Sequence, residues 1–493
     1  MNITDPLIQF AEQQPDKPAI IAGERSISYR EFDRLVGQTA NHLVNLGVQP
    51  GDRVGLCLKD NPQHIICFFA VARMGAIAFA IDWRAAASEK ETRAGSFGAS
   101  LVLVEARAAS VAETRTVNLD TDWEQAIAAA EPLTSYPQDP NAPATIHNSS
   151  GTTGSPRGVV ITHKQVSERT RLYQIHLRMS DPHQYFSVLP LCFSGGSDFY
   201  VGHLMTGNTV ILYPPLFSAR EYVEEVNRCG ATFAALVPTA LRWLLDLPDQ
   251  DAPLLPSVTS LISLGAPLFA EEKLAVRSKI SPNLYDAYGS SATGTIACLG
   301  PSEIEAKAES VGRPVSTVVL EIVDDDDKPL GPGAMGRVRV RGSSTASKYF
   351  GDVVSFADNE GFHDDWFYTG ELAETDEDGY VHVKGRIKSV IIRGGANIYP
   401  EEVEEVLCTH PEVAEAAVVG RPSREFGETV AAFVVADESL DPDSLISHCR
   451  DHLTGYKVPQ HVIRLDKFPK TTSGKVLKSE LTAMLQDEPQ DGA

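Results

Sequence analysis

Positive charge is scarce in this chain: 43 lysines and arginines stand against 66 aspartates and glutamates, a formal net charge of -23 with no basic block to offset it. Such a surface repels nucleic acid and anionic membrane, so neither is an expected partner. No uninterrupted apolar run of 18 residues occurs, which leaves no membrane span to expect. The first residues, Met1-Asn2-Ile3-Thr4-Asp5-Pro6, show no basic region leading into an apolar stretch, so the sequence predicts a soluble, unexported, cytoplasmic protein. Seven cysteines, at 57, 67, 192, 229, 298, 408 and 449, form no close pair. That scatter suggests neither a disulfide framework nor a zinc site, and no metal-ligand set is read from the sequence. The Gly-x4-Gly-Lys-Ser/Thr phosphate loop is missing as well.

What is present reads as a globular enzyme of more than one domain. Hydrophobic residues make up 43% and charged residues 22% of 493 residues, enough for a large core. Apolar runs at Val54 to Leu58, Leu101 to Val104, Val210 to Tyr213 and Leu261 to Leu264 read as buried strands, and Tyr29 to Leu46 and His64 to Met74 read as helices between such strands. The alternation predicts an α/β body. A period of two over Thr317 to Val323 and Arg337 to Arg341, with an Asp378-Gly379 turn before Tyr380 to Val383, predicts a smaller β region closing it. Past the polar stretch Gly385 to Lys388, Pro400 opens a helix with acidic first-turn residues, and strands are expected near Ala416 to Val419, Val430 to Val435 and His461 to Leu465. The predicted domains are 1–387 and 388–493, the second a small α+β unit.

The stretch 147–158, His-Asn-Ser-Ser-Gly-Thr-Thr-Gly-Ser-Pro-Arg-Gly, carries most of the chemistry. Ser149, Ser150, Thr152 and Thr153 offer hydroxyl donors and Arg157 a charge, while Gly151, Gly154 and Gly158 permit close backbone approach and positive φ, as a loop around a polyphosphate requires. After it come, in order, Leu189-Pro190-Leu191-Cys192-Phe193-Ser194-Gly195-Gly196, Gly265-Ala266-Pro267-Leu268, Tyr288-Gly289-Ser290-Ser291-Ala292-Thr293-Gly294 and Trp366-Phe367-Tyr368-Thr369-Gly370-Glu371. Gly385-Arg386-Ile387-Lys388, Gly394-Gly395-Ala396-Asn397-Ile398-Tyr399-Pro400 and Pro469-Lys470-Thr471-Thr472-Ser473-Gly474-Lys475 complete the series. In sequence and spacing this resembles the adenylate-forming superfamily of acyl-CoA synthetases, peptide-synthetase adenylation domains and luciferases, over nearly the whole chain.

The resemblance implies a large amino-terminal domain, a mobile carboxy-terminal domain, and two half-reactions. A carboxylate attacks the α-phosphate of ATP to give an acyl-adenylate, and a thiol, commonly that of CoA, then displaces AMP. Lys475 matches the lysine that bridges the attacking carboxylate and the α-phosphate. Glu371 and Arg386 match the ribose-holding pair, with glutamate where the family usually has aspartate. Gly265, Ala266 and Pro267, with Asp286, Ala287, Tyr288, Gly289 and Ser291, resemble the nucleotide-flanking segments. Lys388 matches the hinge of the mobile domain, and Gly394 and Gly395 the loop lining the pantetheine tunnel. Phe193, Gly195 and Gly196 match the acyl-pocket motif. Phenylalanine stands there in place of the usual histidine, which favours a bulky or long apolar acid. Lys384, Arg386, Lys388 and Arg393 form a basic cluster suited to CoA phosphates.

Two departures bear on ATP. Ala292 replaces the glutamate that serves magnesium in relatives, and alanine cannot ligate a metal. Arg157 replaces the phosphate-loop lysine. The expectation is therefore a CoA ligase whose adenylation step is weak or absent, with magnesium an open question and the retained Lys475 serving either an adenylate made by a separate adenylating enzyme or adenylation through water-held magnesium; a carboxylate restored by Ala292→Glu is expected to strengthen magnesium-ATP engagement. The alternatives are an ordinary two-step synthetase, an enzyme loading a carrier-protein thiol, and a non-catalytic binding protein.

Overall fold

The computed structural model describes residues 1–105, 114–149, 157–179, 182–213, 218–250, 253–351, 356–357, 360–393, 396–423, 426–437, 440–471 and 474–485. The chain forms two compact units. One comprises Met1–Leu320, Val340–Ser355 and Phe362–Phe367, the other Glu321–Arg339, Phe356–Gly361 and Tyr368–Ala493.

The larger unit contains two twisted sheets. In the first, the strands Leu284–Ser290, Ser260–Leu264, Phe233–Leu236, Gln184–Ser187, Thr209–Leu212 and Pro18–Ala22 run parallel in that order, with antiparallel strands at both edges. In the second, Thr116–Asn118, Leu101–Val104, Arg53–Cys57, Ile77–Ala80 and Pro143–Ser149 are parallel, and Arg157–Thr162 returns antiparallel. Leu101–Val104 and Phe233–Leu236 are apolar throughout and buried at every residue, as strands covered on both faces must be.

Helices between these strands start where the sequence supplies caps. Ser28 accepts from the Glu31 amide at the start of Tyr29–Asn45, and Tyr29, Phe32, Val36, Ala40 and Leu43 bury one face at helical period. Thr162 and Gln165 form a reciprocal capping box that opens His163–His176. Pro62–Arg73 and Ser194–Met205 are buried over nearly their whole length. Among the described residues no helix is long and apolar enough to cross a membrane.

In the smaller unit, which takes up the strand Trp366–Thr375 from Tyr368 onward, that strand and Val381–Arg386 pair antiparallel around a turn in which Gly379 has φ +80 and its amide bonds Asp376. A five-stranded sheet follows. Gly427–Ala436 is flanked by Val413–Ser423, by Ile391–Arg393 with Ala396–Ile398 beyond it, and by the parallel strand His461–Leu465. Its period-two pattern feeds two apolar clusters. Val418, Val430, Ala432 and Val434 pack with Val403, Leu407 and Leu445. The intervening Ala417, Val419, Ala431 and Phe433 pack with Phe468, Leu481 and Leu485. Pro400 occupies the first turn of the helix Pro400–Cys408, and Lys388 lies in a 3-10 turn, Ile387–Ser389.

Candidate functional site

In the larger unit the parallel strands Pro143–Ser149, Ser260–Leu264 and Leu284–Ser290 deliver their carboxyl ends to three of the motifs, the usual location of ligands on open α/β sheets. Ser150, Gly151, Thr152, Thr153 and Gly154 lie outside the described residues. The segment is framed by its flanks, which pair in antiparallel register, Asn148 with Gly158 and Ser149 with Arg157. Gly158 is not in the left-handed region. Glycine is required there because a Cβ would lie 2.6 Å from Ile146 Cγ2 and from the Phe97 ring.

Ser291 gathers the motifs. Its Oγ is 2.8 Å from Ser194 Oγ and donates to the Asn148 carbonyl at 3.2 Å. The acyl-pocket motif, the entry to the phosphate loop and the Tyr288 to Gly294 segment therefore meet through one hydroxyl, across separations of 97 and 143 residues in sequence. Phe193 is the residue before the helix Ser194–Met205 and has extended backbone. A Cβ on Gly195 would meet only Leu264 Cδ1, at 3.1 Å, whereas one on Gly196 would strike the Pro190 carbonyl oxygen. Gly195 thus borders open space, and Gly196 serves helix-to-loop packing.

Gly265 has φ +89 and begins an exposed turn with Ala266 and Pro267 after Ser260–Leu264. Asp286 is committed to packing: its Oδ2 is 2.9 Å from Lys273 Nζ, and both side chains are buried. Lys273 Nζ also donates to the Ala308 and Ser310 carbonyls, at 3.0 and 2.7 Å. Ala287 and Tyr288 are half-buried, and Gly289 and Ser290 beyond them are exposed. Gly289 admits no side chain because a Cβ would meet the Gly294 carbonyl across the hairpin. Ala292 is 3% exposed.

A buried polar network behind Ser291 escaped the sequence reading. Arg169, fully buried on His163–His176, donates to Asp198 Oδ2 (3.2 Å) and to the carbonyls of Ser344, Ser291 and Ala292 (3.1, 3.0 and 3.2 Å), with His147 Nδ1 at 3.4 Å. Tyr173 donates its hydroxyl to the same Asp198 oxygen at 3.1 Å. Burial lowers His147 to about 4; Asp198 opposes that shift and Arg169 adds to it, so the ring is neutral at ordinary pH. The available signal was Asp198 itself, a charge inside the apolar run Phe199 to Met205 and the small residues before it.

In the smaller unit Glu371 and Arg386 face each other across the ladder, with Nε to Oε1 at 3.8 Å. Lys475 ends a tight turn in which Gly474 has φ +83, the Thr471 amide bonds the Lys475 carbonyl at 2.8 Å, and Thr471 Oγ1 receives the Lys475 amide at 3.1 Å. Lys475 is exposed to solvent, yet crowding by neighbouring atoms first and Arg386 second hold its ammonium below the ordinary lysine value, with Glu371 pulling it up, so the three groups share one electrostatic environment. Gly394 and Gly395 lie outside the described residues, between strands whose register pairs Arg393 with Ala396. Two members of the basic cluster have partners of their own. Lys384 pairs with Glu374 at 2.9 Å, and Arg393 donates to the Tyr456 carbonyl at 2.7 Å while stacking over Phe426. Among the described residues no group of three histidine, cysteine or acidic side chains could hold a metal ion.

Comparison with known proteins accounts for the arrangement. The AMP-binding enzyme family matches residues 7–350 and the AMP-binding enzyme C-terminal domain matches residues 402–475. An indoleacetate–CoA ligase of Aromatoleum aromaticum is 31% identical over 506 residues, covering 98% of each chain. A fatty acid–[acyl-carrier-protein] ligase, ScoC, of Streptomyces coeruleorubidus is 30% identical over 96% of this chain and 94% of its own. Among solved structures, o-succinylbenzoate CoA synthetase from Bacillus subtilis in complex with its acyl-adenylate superposes with a TM-score of 0.89 at 25% identity, covering 99% of both chains. ATP-bound MatB from Rhodopseudomonas palustris does so with a TM-score of 0.89 at 26% identity and the same coverage. With its α/β amino-terminal domain and its small carboxy-terminal domain, the chain belongs to the AMP-binding, adenylate-forming enzymes, in the acyl-CoA ligase branch, and is an acid–thiol ligase.

Proposed function

We propose that this chain makes the CoA thioester of a bulky or long apolar carboxylic acid through an acyl-adenylate, and that it consumes the adenylate more effectively than it forms it. The observation carrying the reading is the meeting of three motif segments at Ser291, which brings the acyl, phosphate and nucleotide elements to one place. In the first step a carboxylate oxygen bonds to the α-phosphorus as the bond to pyrophosphate breaks; in the second the CoA sulfur bonds to the acyl carbon as AMP leaves and the thiol proton is lost to solvent. Protonated Lys475 offsets charge on the carboxylate and α-phosphate, and its depressed proton affinity fits a group held near Arg386. Glu371 can accept from ribose hydroxyls with Arg386 behind it.

Gly195 bordering Leu264, with Phe193 at the helix entrance, supports a bulky apolar acyl group. Relatives named for indoleacetate, long-chain fatty acids and ferulate act on acids of that kind. Magnesium would reach the site with the triphosphate; the buried methyl of Ala292 offers it no ligand, which is the reason to expect slow adenylation. A separate adenylating enzyme would then supply the adenylate. Lys388 is proposed as the hinge between residues 1–387 and 388–493, and Gly394 and Gly395 as the walls of the thiol path. A carrier-protein pantetheine is the alternative acceptor, favoured by the relative named for that reaction.

The test pairs ATP–pyrophosphate exchange across a panel of aromatic and long-chain acids with thioester formation from synthetic acyl-adenylates, offered CoA or a carrier protein. Thioester formation well ahead of exchange is expected. Exchange as fast as the thioester step would make this an ordinary two-step synthetase. No thioester from any adenylate would overturn the ligase reading.

A further inference from the structure

The turn that carries Ala292 is built around a side chain from elsewhere in the larger unit. Arg169 Nη2 holds the Ser291 and Ala292 carbonyls, and the arginine stem runs beneath Gly294, where a Cβ would lie 3.1 Å from Nε and 3.2 Å from Cγ. Gly294 has φ +66, so the chain bends in the left-handed region at the point where it passes over the stem. The remaining donors reach the Ser344 carbonyl, Asp198 and His147. One guanidinium thereby fixes four separate segments: the end of Pro143–Ser149, the helix Ser194–Met205, the 291–294 turn and the loop at Ser344. A planar fork with five donors can do this; an ammonium with three donors on one atom cannot.

We propose that Arg169 is the positioning residue of the adenylate site, and that while it holds the 291–294 turn a carboxylate introduced at 292 is drawn to its guanidinium and not to magnesium. The proposal rests on the function above and revises what sequence alone leads one to expect of Ala292→Glu. The turn is the element through which Ser291 reaches both Ser194 and the Asn148 carbonyl, so its place decides whether the acyl and nucleotide segments meet. Position 292 is buried, and its own carbonyl is 3.2 Å from Arg169 Nη2. A glutamate there begins within side-chain reach of a fixed, desolvated cation, whereas a magnesium ion must first shed water to compete.

Two measurements test this. The first is affinity for a synthetic acyl-adenylate, by calorimetry, alongside kcat of thioester formation from that adenylate, for the parent and Arg169→Lys. Arg169→Lys keeps the charge opposite Asp198 but loses the fork, and should weaken adenylate binding about tenfold or more, with the loss falling on affinity far more than on kcat. A purely structural defect would lower the active fraction, and so kcat, at unchanged affinity. The second is the magnesium dependence of ATP affinity, which needs no turnover. Ala292→Glu alone should leave it within about twofold of the parent, and Arg169→Gln/Ala292→Glu should gain about tenfold over Ala292→Glu. Parent-like adenylate affinity in Arg169→Lys, or a tenfold magnesium gain from Ala292→Glu with Arg169 in place, would overturn the proposal. A parent that binds adenylate but never yields a thioester would instead remove the proposed function, and the affinity comparison would still decide the role of Arg169.

Discussion

Replacing Lys273 with methionine should cost the larger unit about 3 to 5 kcal/mol, because it strands a buried charge. Lys273 Nζ has three donors and spends them on Asp286, Ala308 and Ser310 at 2.9, 3.0 and 2.7 Å, with no donor left over. Methionine fills the same space and removes all three bonds, leaving Asp286, whose side chain is 9% exposed, ionised without a counterion. The unit holds about 340 residues. An unfolding entropy of roughly 2 cal/mol/K per residue then makes 4 kcal/mol a drop of about 6 °C in its midpoint. All four tryptophans, Trp83, Trp123, Trp243 and Trp366, belong to this unit, so tryptophan fluorescence in urea reports on it without the smaller one. The control is Lys273→Met/Asp286→Asn, which removes the stranded charge as well and should recover a large part of the loss. A loss below about 1 kcal/mol in Lys273→Met, or strict additivity of the two substitutions, would show that the pair is not what holds the Asp286 to Tyr288 segment in place.

The electrostatics of the smaller unit give further expectations. In the role proposed for it, Lys475 acts in its protonated form, present below its lowered pKa and lost as pH rises through it; Glu371→Gln removes the group that raises that pKa, so the alkaline limb of adenylation should move to lower pH, and Arg386→Gln should move it upward. A pH–rate profile of pyrophosphate exchange reads both shifts. Burial raises the pKa of Glu401, against the pull of Lys478 and with Glu404 adding to it, so the protonated form favours folding below the unfolded value and that advantage disappears as pH rises through the folded one. Glu401→Gln should therefore stabilise the smaller unit at neutral pH and lose its advantage in acid, as urea titrations at two pH values would reveal. Gly385 has φ +139 and a Cβ there would strike Glu401 Oε2, so Gly385→Ala should lower the unit's thermal midpoint by several degrees.

Much of the fold is written locally. Leu101 to Val104 and His461 to Leu465 coincide with observed strands, and the helices begin at Tyr29 and Pro62, where Ser28 and Asn61 supply caps. These elements depend on neighbours a few residues away, which a sequence displays. The order of strands is different: Pro18–Ala22 lies beside Thr209–Leu212, and no local pattern encodes that partner. The motifs were legible because their residue types are unusual and their order is long. Arg169, Asp198 and His147 were not, since a charged residue announces burial only through what surrounds it in three dimensions. Glycine was partly misread for the same reason. Gly158 looks like loop freedom in a sequence, yet it, like Gly196 and Gly289, is there because a specific atom of another segment already occupies the space of a side chain.

The long ladder between Val413–Ser423 and Gly427–Ala436 has one more consequence. Apolar side chains from its two faces gather two separate clusters, and every member of both falls between Ile391 and Leu485. Among the described residues, both interiors are supplied by this one stretch of chain. Over evolutionary time the same closure makes the segment portable: a crossover in the gene shortly before Ile391 would divide neither cluster, so the stretch from Ile391 onward can be exchanged among related chains as a ready-made piece while the rest diversifies at its own pace.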